Sequence, residues 1–226
     1  MHERAPIVKE GTGLRNLTAF ITVLCLISGA KVRAEGGPET CTYQTYKWNV
    51  HLRQPVEVET VSHPHSDLSP DEIDPATGCT VCAEDQQIIY VPPLAPFRAC
   101  KKLAPHLRVV LEELVRAGEP IYEIEGYRVG KTRGDPDEEG NRTRFSNHSY
   151  GIAIDINPQR NGLYDRCLRF GPHCRLIRGG PWRPGQPGTL TADGTVVKAM
   201  KTAGFSWGGE IQGKQKDFMH FSPSGY

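Results

Sequence analysis

Ser146-Asn147-His148-Ser149-Tyr150-Gly151-Ile152-Ala153-Ile154-Asp155-Ile156-Asn157 is the stretch on which the reading of this 226-residue chain turns. Ile152, Ile154 and Ile156 alternate with Ala153, Asp155 and Asn157, so a strand here sends three isoleucines into a core and Asp155 to the opposite face. Ala153 leaves open space beside that carboxylate, and Gly151 permits a backbone bend that brings the His148 imidazole back toward it. Imidazole and carboxylate together suit zinc, and a catalytic zinc site needs three protein ligands plus an open position. His220 is the candidate third ligand, because Asp217-Phe218-Met219-His220-Phe221 interleaves polar with apolar side chains in a short strand-like run. Any one of these residues alone reads as a structural or solvated group. The set of three is what points to a metal.

Outward from this stretch the pattern is mixed. Leu103, Leu107, Val110, Leu111 and Leu114 recur at helical spacing, with Pro105 acceptable in a first turn and Gly118 and Pro120 ending the run. Residues 121–129 read as a strand ending in Gly126-Tyr127-Arg128, residues 130–147 as a polar loop, residues 158–188 as a Gly- and Pro-rich loop, and residues 195–203 as a short helix. Residues 35–97 read as an extension with little helix. In it Tyr43, Thr45, Lys47, Asn49 and His51 alternate with Gln44, Tyr46, Trp48, Val50 and Leu52, the pattern of a strand with one aromatic and aliphatic face. A loop is expected over residues 63–78 and another strand over residues 87–91, closed by Pro92 and Pro93. Strands, helices and long loops without regular βαβ alternation argue an α+β fold.

Composition narrows the function classes. Hydrophobic residues make up 38% and charged residues 23% of the chain, a globular composition that excludes a membrane transporter, a collagen and a coiled coil. The formal net charge is +1, which gives no broad electrostatic footprint for nucleic acid or anionic lipid. Arg4, Lys9 and Arg15 precede an apolar run over residues 17–27, followed by Ser28, Gly29 and Ala30, the plan of a secretory signal over residues 1–34; a retained N-terminal anchor is the alternative. Cleavage after Ala34 removes five basic and two acidic residues and takes the charge from +1 to −2. The mature protein is therefore expected to be exported, periplasmic or extracellular, with no nucleic-acid partner and no stable membrane insertion.

Six cysteines remain beyond that point: Cys41, Cys79, Cys82, Cys100, Cys167 and Cys174. An even number in an exported chain reads as three disulfides, of which only Cys167 to Cys174, closing a short local loop, is a preferred pair. Cys79-Thr80-Val81-Cys82 could instead be half of a zinc ribbon or a redox pair. The second Cys pair that a ribbon needs is absent, and the βαβ context of a redox motif is not provided by the surrounding Pro, Asp and Gly.

In its C-terminal portion, residues 98–226, the sequence resembles the zinc D-alanyl-D-alanine carboxypeptidases and peptidoglycan L-alanyl-D-glutamate endopeptidases. Ser146, His148, Gly151, Ala153 and Asp155 fill every fixed position of that family's S-x-H-x-x-G-x-A-x-D signature. Trp207-Gly208-Gly209-Glu210 followed by Asp217-Phe218-Met219-His220 looks like its late segment, and Gly126-Tyr127-Arg128 like its earlier arginine motif. The resemblance implies a small antiparallel sheet with a few helices around a zinc site, the fold shared with the hedgehog signalling domain, here carrying a β-rich N-terminal extension over residues 35–97.

It also implies roles. One zinc ion held by His148, Asp155 and His220 would acidify a bound water and polarise the scissile carbonyl. Asp217 would act as general base and then as acid toward the leaving amine. Arg128 would steady the developing oxyanion or hold a substrate carboxylate. The substrate would be a peptidoglycan stem peptide, cut as a carboxypeptidase or as an endopeptidase; a zinc-stabilised binding or signalling domain without turnover is the alternative. Glu210 competes with Asp217 for the base role but is less well spaced from His220. His63-Pro64-His65 lacks a third partner and reads as solvated, and Trp207 and Tyr150 read equally as cleft or core.

Overall fold

The computed structural model describes residues 37–223; the secretory signal read at residues 1–34 lies outside the described residues. The described chain opens with a long hairpin, β1 (Thr40–Asn49) and β2 (Gln54–Pro64). A second hairpin of β3 (Gln86–Ile89) and β4 (Phe97–Cys100) leads into helix α1 (Ala104–Arg116) and the short β5 (Ile124–Glu125). A third hairpin, β6 (Lys131–Pro136) and β7 (Arg142–Phe145), precedes β8 (Ile154–Ile156), β9 (Leu163–Asp165) and β10 (Arg175–Arg178). Helix α2 (Thr195–Thr202) and the strands β11 (Ser206–Trp207), β12 (Lys216–Asp217) and β13 (His220–Ser222) follow. The strands assemble as β2-β1-β6-β7, β10-β9-β12, β11-β13-β8-β5 and β3-β4. All pairings are antiparallel except the parallel bridge of Lys47 on β1 with Lys131 on β6. The fold is α+β. Among the described residues no helix is long and apolar enough to cross a membrane.

The core is built where the periodicity predicts it. Helix α1 buries Ala104, Leu107, Val110, Leu111 and Leu114 on one stripe and ends at Gly118, whose φ of 78° needs glycine. That stripe belongs to one cluster with Ile154 and Ile156 of β8, Val197 and Met200 of α2 and Phe221 of β13. Each such side chain, fully buried, contributes roughly 1.5–3 kcal/mol. Ile152 packs separately, against Cys79 and Cys100.

Several loops read from the sequence are strands. The polar stretch 130–147 is the β6–β7 hairpin, and the 158–188 loop contains β9 and β10. Neither carries an apolar alternation. Of β7 only Phe145 is buried and β10 is exposed throughout, so backbone pairing rather than a hydrophobic face holds them. The expected strand over 121–129 is confined to Ile124–Glu125, and the loop expected from residue 63 begins only after β2 has ended at Pro64. On β1 the buried side chains are Cys41, Tyr43, Thr45 and Asn49; Tyr46 and Trp48, on the expected aromatic face, are only half-buried.

Cys167 pairs with Cys174 as expected, and the other disulfides are Cys41–Cys82 and Cys79–Cys100. Cys79 and Cys82 thus go to different partners, which removes both the ribbon and the redox reading. Three disulfides fit a non-reducing compartment.

Beside the Cys41–Cys82 bridge lies a buried carboxylate. Glu72 accepts hydrogen bonds from the Tyr43 hydroxyl at 2.7 Å, from the Ser69 amide at 2.8 Å and from the Ser69 hydroxyl at 2.7 Å, and His63 Nε2 lies 2.8 Å away. Burial alone would raise its pKa, but these hydrogen bonds outweigh it and lower the carboxyl from 4.5 to about 2. A carboxyl depressed in the folded state stabilises the fold above its unfolded pKa, and that contribution is lost as pH falls through the folded value. Glu72→Gln is therefore expected to lower the unfolding free energy by about 2 kcal/mol at pH 7. In urea denaturation the difference from wild type should shrink between pH 4.5 and pH 2.

Candidate metal centre

Asp155 and His220 face one another directly across the β8–β13 ladder, which places their side chains on one face of the sheet. His148 arrives from a 3-10 turn, Asn147–Tyr150, closed by Gly151 in the left-handed region at φ 66°. Gly151 must be glycine for a second reason: a Cβ there would lie 2.0 Å from Gln86 Oε1 and 2.6 Å from the Cys100 nitrogen. The turn is docked by Ser149, whose hydroxyl exchanges 3.1 Å bonds with the Gly130 backbone, and by Asn147, which donates to Ser222 Oγ at 3.0 Å.

These constraints bring the three sequence-predicted ligands together. His148 Nε2 lies 3.0 Å and His220 Nδ1 3.2 Å from the same atom, Asp155 Oδ1. The three ligand atoms all fall within 4.8 Å of one another and all three residues are buried. Two further groups of potential ligands occur among the described residues, Cys41 with His63 and Glu72, and Cys82 with His65 and Asp85. Their cysteines are bonded to each other, so neither offers a thiolate, and His63 and His65 pair with Glu72 and Asp85.

The other oxygen of Asp155 belongs to arginines. Arg128 donates from Nη2 to Oδ2 at 2.8 Å, and Arg178 approaches the same oxygen at 3.7 Å while also pairing with Glu125. Burial by itself would raise Asp155, but His148, His220 and Arg128 together hold its carboxyl well below the usual range. His148 moves the opposite way from a paired imidazole. Burial lowers it to about 4, with Asp155 opposing and Arg128 reinforcing the shift. At neutral pH it is therefore an uncharged ring. Its Nδ1 lies 2.9 Å from the Gly126 carbonyl, to which Arg128 Nη1 also donates at 3.3 Å. Arg128 Nη1 also lies 2.8 Å from Nδ1; the tautomer that carries its proton on Nδ1 and donates it to the Gly126 carbonyl is the one that leaves the Nε2 lone pair aimed at the ligand group. Two imidazoles and an ionised carboxylate form a donor set that fits zinc.

Asp217 comes from β12, buried, with Oδ1 lacking a hydrogen-bond partner. Burial and then the Asp155 charge push its carboxyl up to about 6. The Trp207-Gly208-Gly209 run explains its placement. A Cβ on Gly208 would lie 2.3 Å from the Asp217 carbonyl oxygen, and the Trp207 indole N–H donates to the Phe218 carbonyl at 2.8 Å. Glu210 is elsewhere, exposed and ion-paired with Lys201 at 2.8 Å. Trp207 is core, whereas Tyr150 lines the cleft. Arg178 is the site residue that the sequence reading missed. It lies on a wholly exposed strand within a stretch read as loop, where no apolar alternation marks it.

His148, His220, Asp217 and Arg128 all line one open cleft of about 1230 Å³, bounded on its far side by β1, β6 and β7. Comparison with curated proteins and with solved structures gives no match. Residues 139–223, the segment that carries His148, Asp155, Asp217 and His220, match the family model of the D-alanyl-D-alanine carboxypeptidases.

Proposed function

We propose that this protein is an exported zinc peptidase that hydrolyses an amide bond in the peptide stems of bacterial cell wall, with residues 98–226 as the catalytic portion. The observation that carries the reading is the convergence of His148, Asp155 and His220 beside a buried, partnerless Asp217 oxygen at the edge of an open cleft. His148, Asp155 and His220 would hold the ion. When bound, zinc supplies a Lewis acid for the scissile carbonyl and a water of lowered pKa.

The remaining work falls to side chains of this chain. Asp217 takes the proton of the attacking water at its carboxylate and returns it to the leaving amine, a two-way role for which a carboxyl raised to about 6 is better matched than an ordinary one. Arg128 keeps Asp155 ionised and, with 31% of its side chain exposed to the cleft, stabilises negative charge on the substrate oxygen. A purely structural metal site has no use for a second buried carboxyl whose Oδ1 is left without a hydrogen bond, at a cost of about 1–3 kcal/mol. That cost supports turnover over the zinc-stabilised binding domain.

Two variants test the assignment. Asp217→Ala is expected to retain one zinc per chain by elemental analysis while its turnover of defined muropeptides drops by about 10²–10⁴-fold; unchanged hydrolysis removes the mechanism. His148→Ala should purify with clearly substoichiometric zinc, and full metal occupancy in that variant would count against the site. Mass spectrometry of the digested muropeptides identifies the bond that is cut, and a blocked C-terminal carboxylate that stops the reaction marks it as a carboxypeptidase.

A further inference from the structure

The cleft has a second charged region that the proposed chemistry does not use. Arg133 on β6 and Arg142 and Arg144 on β7 line it, joined by Arg53 from the β1–β2 turn. Arg133 and Arg144 are direct cross-strand partners, a like-charge pairing that destabilises a sheet by up to about 1 kcal/mol. Arg142 and Arg144 are two apart on β7 and so share its face.

Gly134 lets these side chains lie across the hairpin. Its φ is 80°, its carbonyl accepts a bond from the Arg142 guanidinium, and a Cβ there would come within 3.0 Å of Arg144 Cγ and 3.1 Å of Arg144 Nε. The acids that line the cleft are Asp165 and Asp217. Asp165 is held by Arg175, and Asp217 belongs to the metal end. The acids of the hairpin itself, Asp135, Asp137, Glu138 and Glu139, lie around its turn and do not line the cleft. In a chain whose net charge is only +1, several guanidiniums gathered in one concave wall focus a local positive field.

Beside them stand two aromatic side chains of the extension. Tyr46 and Trp48 are half-buried and line the same cleft, and the Tyr46 ring lies over Gly130, where a Cβ would meet it at 2.7 Å. Guanidinium forks bind carboxylates through paired hydrogen bonds, and flat aromatic faces cover the apolar stretches between such groups.

We infer that β1, β6 and β7 form a substrate subsite, distinct from the metal centre, which binds a carboxylate-bearing segment of the peptide away from the bond being cut. Arg144 and Arg142 are its anion-binding groups, and Tyr46 and Trp48 are its apolar wall. The inference rests on the peptidase reading for its choice of a peptide as occupant, and the charge of the wall sets the class: a multiply anionic peptide in preference to a neutral one.

The test uses the full zinc-loaded chain and two synthetic stem peptides that differ only in one side-chain carboxylate, free in one and converted to carboxamide in the other. Wild type should favour the free carboxylate by about tenfold or more in kcat/KM, the worth of one good charge-assisted contact. Arg144→Gln should remove most of that preference, and Arg144→Lys, which keeps the charge and loses the fork, should restore part of it. Arg142→Gln provides the second check, with circular dichroism confirming that each variant is folded.

Equal kcat/KM values for the two peptides in wild type, or a preference untouched by both Gln variants, overturn the subsite while leaving the peptidase reading intact. If neither peptide is cut, calorimetric binding of the same pair decides: tighter binding of the free carboxylate that is lost in Arg144→Gln upholds the subsite and places the failure in the peptidase reading, whereas equal binding overturns the subsite. A sulfated oligosaccharide that binds through Arg144 while the acidic peptide does not bind also overturns it, in favour of a glycan occupant.

Discussion

The site depends on how one buried carboxylate divides its two oxygens. Asp155 presents Oδ1 to the imidazoles of His148 and His220 and Oδ2 to the guanidiniums of Arg128 and Arg178. An ionised carboxylate taken out of water carries a desolvation cost of several kcal/mol unless charged hydrogen bonds replace its hydration. Arg128 supplies that replacement from one side and so leaves the other oxygen available as a ligand. The division holds only if β5, β8 and β13 keep their register, with Ile124 opposite Ile156 and His220 opposite Asp155. Ile154 and Ile156 enforce this, because a slip by one residue would turn both toward the cleft side and Asp155 into the apolar core. The hydrophobic pattern that makes the strand is thus the same pattern that aims the carboxylate.

Asp217 illustrates the complementary use of burial. Both aspartates are almost fully enclosed, yet arginine and imidazole hold Asp155 low, whereas Asp217, with Oδ1 lacking a hydrogen-bond partner and with the Asp155 charge nearby, rises to about 6. Two carboxyls driven apart by their surroundings are suited to different tasks, one as a permanent anion and the other as a proton carrier. The close approach that places Asp217 is set by the absence of a side chain at Gly208. In this arrangement Gly208 is a spacing device for the acid nine residues later, and the indole of Trp207 fixes the backbone just beyond that acid through the Phe218 carbonyl.

What could be read from the sequence follows which residues are under a simple physical constraint. Helix α1, helix α2 and β8 have apolar faces to bury, so their periodicity is visible, and the three metal-ligand candidates were legible because two lie on or beside such a face. The β6–β7 hairpin, β9 and β10 were not legible. Their strands are held by backbone pairing to β1 and β12, and side chains such as Arg142, Arg144 and Arg178 face water or the cleft, where no alternation of apolar residues is required. Arg178 was missed for this reason, and so were the Cys41–Cys82 and Cys79–Cys100 pairs, which depend on the relative placement of strands far apart in the chain. Tyr46 and Trp48 were visible as an aromatic face, but nothing local distinguishes a face that meets the core from one that meets a cleft.

The extension therefore has a physical part in the site that its composition does not announce. Cys79–Cys100 joins it covalently to the start of the α1 region, Cys100 donates its amide to the Gly151 carbonyl at 2.8 Å, and Gln86 closes over the position where a Gly151 side chain would stand. Gly151 is the hinge that turns His148 back toward Asp155, so the conformation of a metal-ligand candidate is enforced by residues of the extension and its border. The same extension contributes β1 to the cleft wall through its pairing with β6. A segment that both braces the turn carrying His148 and walls the cleft is positioned to couple the shape of the cleft to the geometry of the His148, Asp155 and His220 cluster. That bracing combines a buried disulfide, a glycine with no free space around it and the apolar side chains Ile89, Val91, Leu94 and Phe97, which the extension contributes to the main core cluster.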